Sequence, residues 1–266
     1  IPECREVFEE ASEASGLDIA ALCFEENDKI NITEYTQICM LTAEAAILRA
    51  LEVKGYKADV TAGLSLGEYG ALIACGALSR KDAFALVRKR GIYMQEAVPE
   101  GGAMAAVLAL DTAQIEEACK KTEGIVSIAN YNCPGQIVIT GEEKAVAAAG
   151  ELCKEAGAKR VVPLKVSGPF HSAMLKGAGE KLANVTADYV TKEEDIKPLL
   201  EKQVSSSVRW QQTIERLIAD GADKFVEIGP GKTLTGFMRK INRDVAAVNI
   251  DKYEDFEKFV AESKNK

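Results

Sequence analysis

Residues 103–166 carry the pattern that most restricts the fold. "AMAAVLAL" (103–110) has the composition of a strand. "DTAQIEEACKK" (111–121) reads as a helix opened by Asp111, whose carboxylate can accept from the free N–H groups of a first turn. "IVSIANY" is a strand, "CPGQ" a turn, "IVITG" a strand, "EEKAVAAAGELCKEAG" a helix ending at Gly157, and "KRVVPLKV" a further strand. The order β-α-β-β-α-β is the ferredoxin-like one. It lies in the middle of the chain, so the residues on either side must form a second, discontinuous body.

Those flanks alternate helix and strand. Residues 3–15 and 36–53 have helical apolar spacing, "ADVTAG" (58–63) reads as a short buried strand, and 66–75 as a helix. Ser79 is an N-cap for a helix over 80–97, which "PEGG" (99–102) ends. Beyond 167 come an amphipathic helix in "VRWQQTIERLIADG", a strand in "DKFVEIG", a turn and helix in "PGKTLTGFMRKI" and a last strand in "VAAVNID". Such alternation favours a mostly parallel sheet. The expected fold is α/β, with a large domain over 1–101 and 168–266 and a small ferredoxin-like domain over 102–167.

Composition removes several classes of function. A net charge of -8 makes the chain a poor general binder of nucleic acid. No apolar run approaches the roughly eighteen residues of a membrane-spanning helix. The start, "IPECREVFEE", lacks the basic region and apolar core of a signal peptide, and it lacks an initiator Met, so it need not be the native start. The seven cysteines are odd in number and contain no C-x-x-C pair, which reads as reduced, mostly buried thiols of a cytoplasmic protein. A single histidine argues against a multi-histidine metal site, so no metal is expected.

Gly63-Leu64-Ser65-Leu66-Gly67 is a G-x-S-x-G sequence between an extended run and a helical one. In that context the motif makes a nucleophile elbow, with a strained serine whose hydroxyl is exposed at a helix N-terminus, where the Leu66 N–H can stabilise an oxyanion. The alternative is an ordinary Gly-rich turn. A serine hydroxyl needs a base, and the one imidazole is His171, in "KVSGPFHSAM". Either His171 is that base or it makes an ordinary hydrogen bond, and the two assignments stand or fall together.

Arg90 adds a third feature. Ala83, Leu86, Val87, Met94 and Ala97 share one face of the helix over 80–97, and Arg90 falls in its middle, while Arg88 and Lys89 point elsewhere and read as solvated surface. A charge on an apolar face is costly unless paired. Either Arg90 meets a buried Asp or Glu, or it faces a cavity that receives an anion such as a carboxylate.

"GLSLGEYGALIACGALS", "VRKRGIYMQEA", "NYNCPGQIVITG", "SGPFHSAM" and "VEIGPGKTLTGF" together resemble the acyltransferase family of fatty acid and polyketide synthesis, and within it the malonyl-CoA:acyl carrier protein transacylases. The resemblance spans nearly the whole chain. It implies an α/β-hydrolase-like large domain with a ferredoxin-like insert. It implies Ser65 as the acylated nucleophile, His171 as its general base, and Gln203 as the residue whose backbone carbonyl orients the histidine. Arg90 would bind the malonyl carboxylate, Leu66 would supply the oxyanion donor, and Met94, Gln37 and Asn132 are candidates for the pocket wall, although core packing or turn chemistry accounts for those three equally well. The Phe170-His171-Ser172 wording resembles malonyl-selecting members.

The implied activity is malonyl transfer from malonyl-CoA to the phosphopantetheine thiol of acyl carrier protein by a cytoplasmic monomer, with no cofactor, nucleic acid or membrane involved. Lys159, Arg160 and Lys165, or Arg239, Lys240 and Arg243, are candidate docking charges for the carrier. A serine esterase or thioesterase is the alternative.

Two departures stand out. The family's opening strand and G-Q-G segment, which completes the oxyanion hole, is not found, and "GEKLANVTADYV" joins abruptly where the family has more helix and strand. Either both segments are omitted or the chain is a defective relative; the intact motifs favour omission. Leu64 stands where many members have His.

Overall fold

A computed structural model describes residues 1–97, 101–164, 168–172, 174 and 190–263. Most of the abrupt join at 179–190 lies outside the described residues. The helices are α1 (Pro2–Ser15), α2 (Ile19–Phe24), α3 (Thr33–Val53), α4 (Gly67–Ala74), α5 (Arg80–Ala97), α6 (Thr112–Lys121), α7 (Glu143–Glu155), α8 (Glu193–Gln203), α9 (Trp210–Ala219), α10 (Thr233–Ile241) and α11 (Tyr253–Ser263). The strands are β1 (Gly102–Leu108), β2 (Val126–Cys133), β3 (Gln136–Glu142), β4 (Arg160–Pro163), β5 (Lys224–Ile228) and β6 (Ala246–Ile250). Two compact units result, Ile1–Ile92 with Asp223–Lys266, and Tyr93–Ala222.

In the first unit, β5 and β6 pair in parallel, with Phe225 opposite Ala247 and Ile228 opposite Ile250. Ala50 and Leu51 of α3 and Phe256 and Phe259 of α11 close over Ile250 to form its core. The expected buried strand at 58–63 is absent. The segment makes no ladder, and Ala58, Asp59 and Val60 are exposed. A strand is defined by its neighbour's hydrogen bonds, and an apolar run cannot become one without them.

Helix α5 starts as expected, with the Asp82 N–H donating to Ser79 Oγ at 3.1 Å. Ala83, Val87, Arg90 and Met94 are buried, whereas Ala97, expected on that face, is exposed in the last turn. Arg88 is not free surface. Its Nη1 is 2.7 Å from Glu34 Oε2 of α3, and its guanidinium lies over the Tyr35 ring at 5.3 Å.

Glu44 of α3 is pressed against two backbones. A Cβ added at Gly70 would lie 2.9 Å from its carboxylate, and one added at Gly229 would lie 2.8 Å from its Cγ. Burial pushes its pKa up to about 8. The folded chain therefore keeps a proton that the unfolded chain releases at the ordinary Glu value, so the native state is favoured at low pH and loses that advantage as pH rises towards 8. Glu44→Gln should flatten this slope and add about 1–3 kcal/mol of stability near pH 8 relative to the parent. Urea unfolding at about pH 5 and pH 8 checks it; parallel losses in both proteins would contradict it.

In the second unit, four antiparallel strands take the order β2-β3-β1-β4. Period-two alternation sends Ala105, Val107, Ile137 and Ile139 to one face, where they pack with Ile115 of α6 and Val146 and Ala149 of α7. Met104, Ala106, Ala129 and Val138 pack together in a second cluster, against which Phe170 sits. That cluster thus seats the residue before His171.

Among the described residues no helix is long and apolar enough to cross a membrane. None of the seven cysteines is paired in a disulfide among the described residues; four are buried and only Cys75 is exposed.

Candidate active site

The elbow is built from the backbone. Ser65 has φ 54°, in the left-handed region that a β-substituted residue occupies only under constraint. The constraint is visible at Gly63. A Cβ there would lie 2.0 Å from the backbone C and O of Gly67, so the chain folds back on itself where no side chain fits. Gly67, by contrast, has open space around it. The Tyr69 N–H donates to the Leu66 carbonyl at 3.0 Å as α4 begins. Among the described residues the Leu66 N–H has no backbone acceptor and remains available as a donor at a helix N-terminus.

Arg90 is brought to this elbow by a close helix crossing. A Cβ on Gly91 would lie 2.8 Å from Glu34 Cα, so glycine lets α5 approach the backbone of α3. At that depth Arg90, 1% exposed, donates from Nη1 to the Gln37 side-chain oxygen and from Nη2 to Ser65 Oγ at 3.0 Å. Burial lowers its pKa, and Tyr69 and Glu68 act in the opposite direction. Ser65, Arg90 and Gln37, read from separate parts of the sequence, therefore share one cluster.

His171 is prepared within the second unit. It is 4% exposed and has φ 58°. Its Nδ1 is 2.8 Å from the Gln203 carbonyl and 3.1 Å from that of Ser206. Two carbonyls can only accept, so Nδ1 carries the proton and Nε2 carries the lone pair, which is the tautomer a general base requires. The Gln203 carbonyl ends α8 and that of Ser206 belongs to the turn after it, which the edge of β2 holds in place. The Val208 N–H donates to Ala129 at 2.7 Å, the Tyr131 N–H to Val208 at 2.9 Å, and Ser207 Oγ to Ile128 at 2.6 Å.

A strained serine bound to a buried guanidinium, and a histidine fixed by two carbonyls instead of a carboxylate, form a distinctive combination, and comparison with known proteins gives it a family. Residues 1–254 match the acyl transferase domain. This chain belongs to the acyl transferase family. It is 44% identical to the malonyl CoA-acyl carrier protein transacylase of Bacillus subtilis, over 97% of this chain and 88% of that protein. The crystal structure of the malonyl CoA-acyl carrier protein transacylase from Clostridium perfringens superposes with a TM-score of 0.95 at 42% identity, covering all of this chain and 90% of that one. The malonyl-transacylase PlMCAT, solved in complex with its type II polyketide acyl-carrier protein AntF, gives 0.94 at 39% identity over 98% and 92% of the two chains.

In this acyl transferase two candidates for the pocket wall remain. Met94 and Asn132 are buried in the second unit, at 2% and 6% exposure, which core packing alone would also produce. Two contributors went unread in the sequence. Ser206 acts through its backbone carbonyl, which leaves no trace in residue type. Tyr69, whose ring lies under Arg90, stands one helical turn after Ser65, and that i, i+4 spacing was available in "SLGEY". Among the described residues no group of three His, Cys, Asp or Glu is arranged to hold a metal ion.

Proposed function

We propose that this acyl transferase moves a malonyl group from malonyl-CoA to the phosphopantetheine thiol of an acyl carrier protein through a malonyl-serine. The observation that carries this reading is the buried Arg90 guanidinium hydrogen-bonded to Ser65. A hydrolase has no use for a cation beside its nucleophile, whereas a dicarboxylic acyl group brings the matching anion. The names of the relatives support the substrate, and the carrier complex of PlMCAT supports the acceptor.

In this reading His171 Nε2 takes the Ser65 proton as Oγ attacks the thioester carbonyl. The Leu66 N–H donates to the oxyanion, and the imidazolium returns its proton to the departing CoA thiolate. The carrier thiol then gives its proton to His171 and attacks the malonyl ester, and Ser65 leaves as a hydroxyl. The Gln203 and Ser206 carbonyls hold the imidazole and stabilise its charged form, the work an Asp does in a hydrolase triad. Arg90 grips the distal carboxylate, with Gln37 holding the guanidinium from behind.

We read the first unit as α/β-hydrolase-like and residues 102–167 as a ferredoxin-like insert, a reading that the strand order β2-β3-β1-β4 supports. The chain works as a cytoplasmic monomer with a thioester donor, a thiol acceptor and no bound cofactor. For carrier docking, Lys159 and Arg160 are exposed on the second unit and Arg239, Lys240 and Arg243 on the first; Lys165 lies outside the described residues. Incubation with malonyl-CoA, with and without holo carrier protein, tests the function. Malonyl carrier should accumulate; rapid release of free malonate regardless of carrier would mark an esterase.

A further inference from the structure

Tyr69 has no part in the chemistry above, yet it is fully buried, at 0% exposure, one turn after Ser65 on α4. Its ring centroid is 5.8 Å from Arg90 Cζ, within the range over which a guanidinium is attracted to an aromatic face. Its phenol oxygen is buried with no hydrogen-bond partner of good geometry among the described residues. Packing alone would be served by Phe or Leu. Burial pushes the phenol up to about 12, so it stays neutral and cannot act as a counter-ion to Arg90.

The guanidinium is thus held at Nη1 by Gln37 and at Nη2 by Ser65, and its carbon lies over the face of the Tyr69 ring. A ring packed beside the guanidinium restricts its rotation about the line joining those two contacts. The orientation of the fork decides whether a carboxylate is met by two donors or one. Because Tyr69 and Ser65 are joined by a single helical turn, the same element sets the nucleophile and the plane of the acyl-recognising cation.

We infer that Tyr69 is a positioning residue for acyl selectivity, its aromatic face fixing the Arg90 guanidinium so that dicarboxylic acyl groups are preferred over uncharged ones. This rests on the carboxylate-binding role given to Arg90 above. The test is the ratio of kcat/KM for malonyl-CoA to that for acetyl-CoA in transfer to the carrier, which is independent of the fraction of enzyme that is folded. Tyr69→Leu should lower that ratio about tenfold, whereas Tyr69→Phe, which keeps the ring, should stay within about threefold of the parent. If Tyr69→Leu does not fold, Tyr69→Met fills the space without a π face and carries the same expectation. An unchanged ratio in the non-aromatic variant overturns the inference, and so does a fall in Tyr69→Phe as deep as in Tyr69→Leu, which would assign the effect to the phenol. If the parent enzyme itself shows no preference for malonyl-CoA, the reading of Arg90 falls first, and the two failures are distinguished.

Discussion

Arg90→Ala loses malonyl transfer and gains acetyl transfer in relative terms. The guanidinium is 1% exposed and already holds Ser65 Oγ. In the parent, a malonyl carboxylate entering this site trades water for a charge-assisted fork, whereas an acetyl group leaves the cation facing a methyl. Truncating one partner of a buried, hydrogen-bonded charge pair costs about 2–5 kcal/mol, so kcat/KM for malonyl-CoA should fall between about thirtyfold and several thousandfold. Acetyl-CoA makes no use of the fork and should fall far less, so the ratio of the two inverts or approaches one. Steady-state transfer with both thioesters measures this. A variant that keeps its malonyl preference would show that the carboxylate is recognised elsewhere and that Arg90 serves only the Ser65 hydroxyl.

Gly63→Ala is the second large effect, and its cause is purely steric. The added methyl would lie 2.0 Å from the backbone C and O of Gly67 and 2.3 Å from the Glu68 N. Backbone has no flexible end to move aside, so the turn must open. Overpacking of this kind costs about 1–3 kcal/mol of stability. The loss in function is larger, because Ser65 keeps φ 54° only while the turn is closed. Displacing a reacting oxygen by about 1 Å costs on the order of a hundredfold. Acylation of the serine should therefore fall at least that far in protein that still melts cooperatively. Gly67→Ala is the control for stability: its surroundings are open, and it should move the melting free energy by less than about 1 kcal/mol. Similar damage from both substitutions would mean that the motif is a flexible turn with no stored strain.

What the sequence revealed followed from local physics. The β-α-β-β-α-β block was legible because its elements each repeat with their own period and its first helix is opened by Asp111, whose side chain accepts from the Ala113 N–H. The elbow was legible because its chemistry demands Gly at 63, and Arg90 because a lone charge interrupts an otherwise apolar face. The strand expected at 58–63 failed because pairing is non-local: the same six residues form no ladder, and four of them lie exposed. Arg88 was assigned to solvent because its partner Glu34 is 54 residues away. The second acceptor for His171, at Ser206, is a main-chain atom and has no sequence signature. Helix α8, which supplies the Gln203 carbonyl, carries Pro198 in its interior, so its propensity did not announce it.

The central claim is that Ser65 carries the acyl group between two thiols. Intact-mass measurement after brief exposure to malonyl-CoA, followed by peptide mapping, tests it most directly. A single malonyl adduct should form on Ser65 and disappear when holo carrier protein is added, with the malonyl group recovered on the carrier. A chain that transfers malonyl with no adduct on Ser65, or whose adduct decays to free malonate at the same rate with and without carrier, would contradict it.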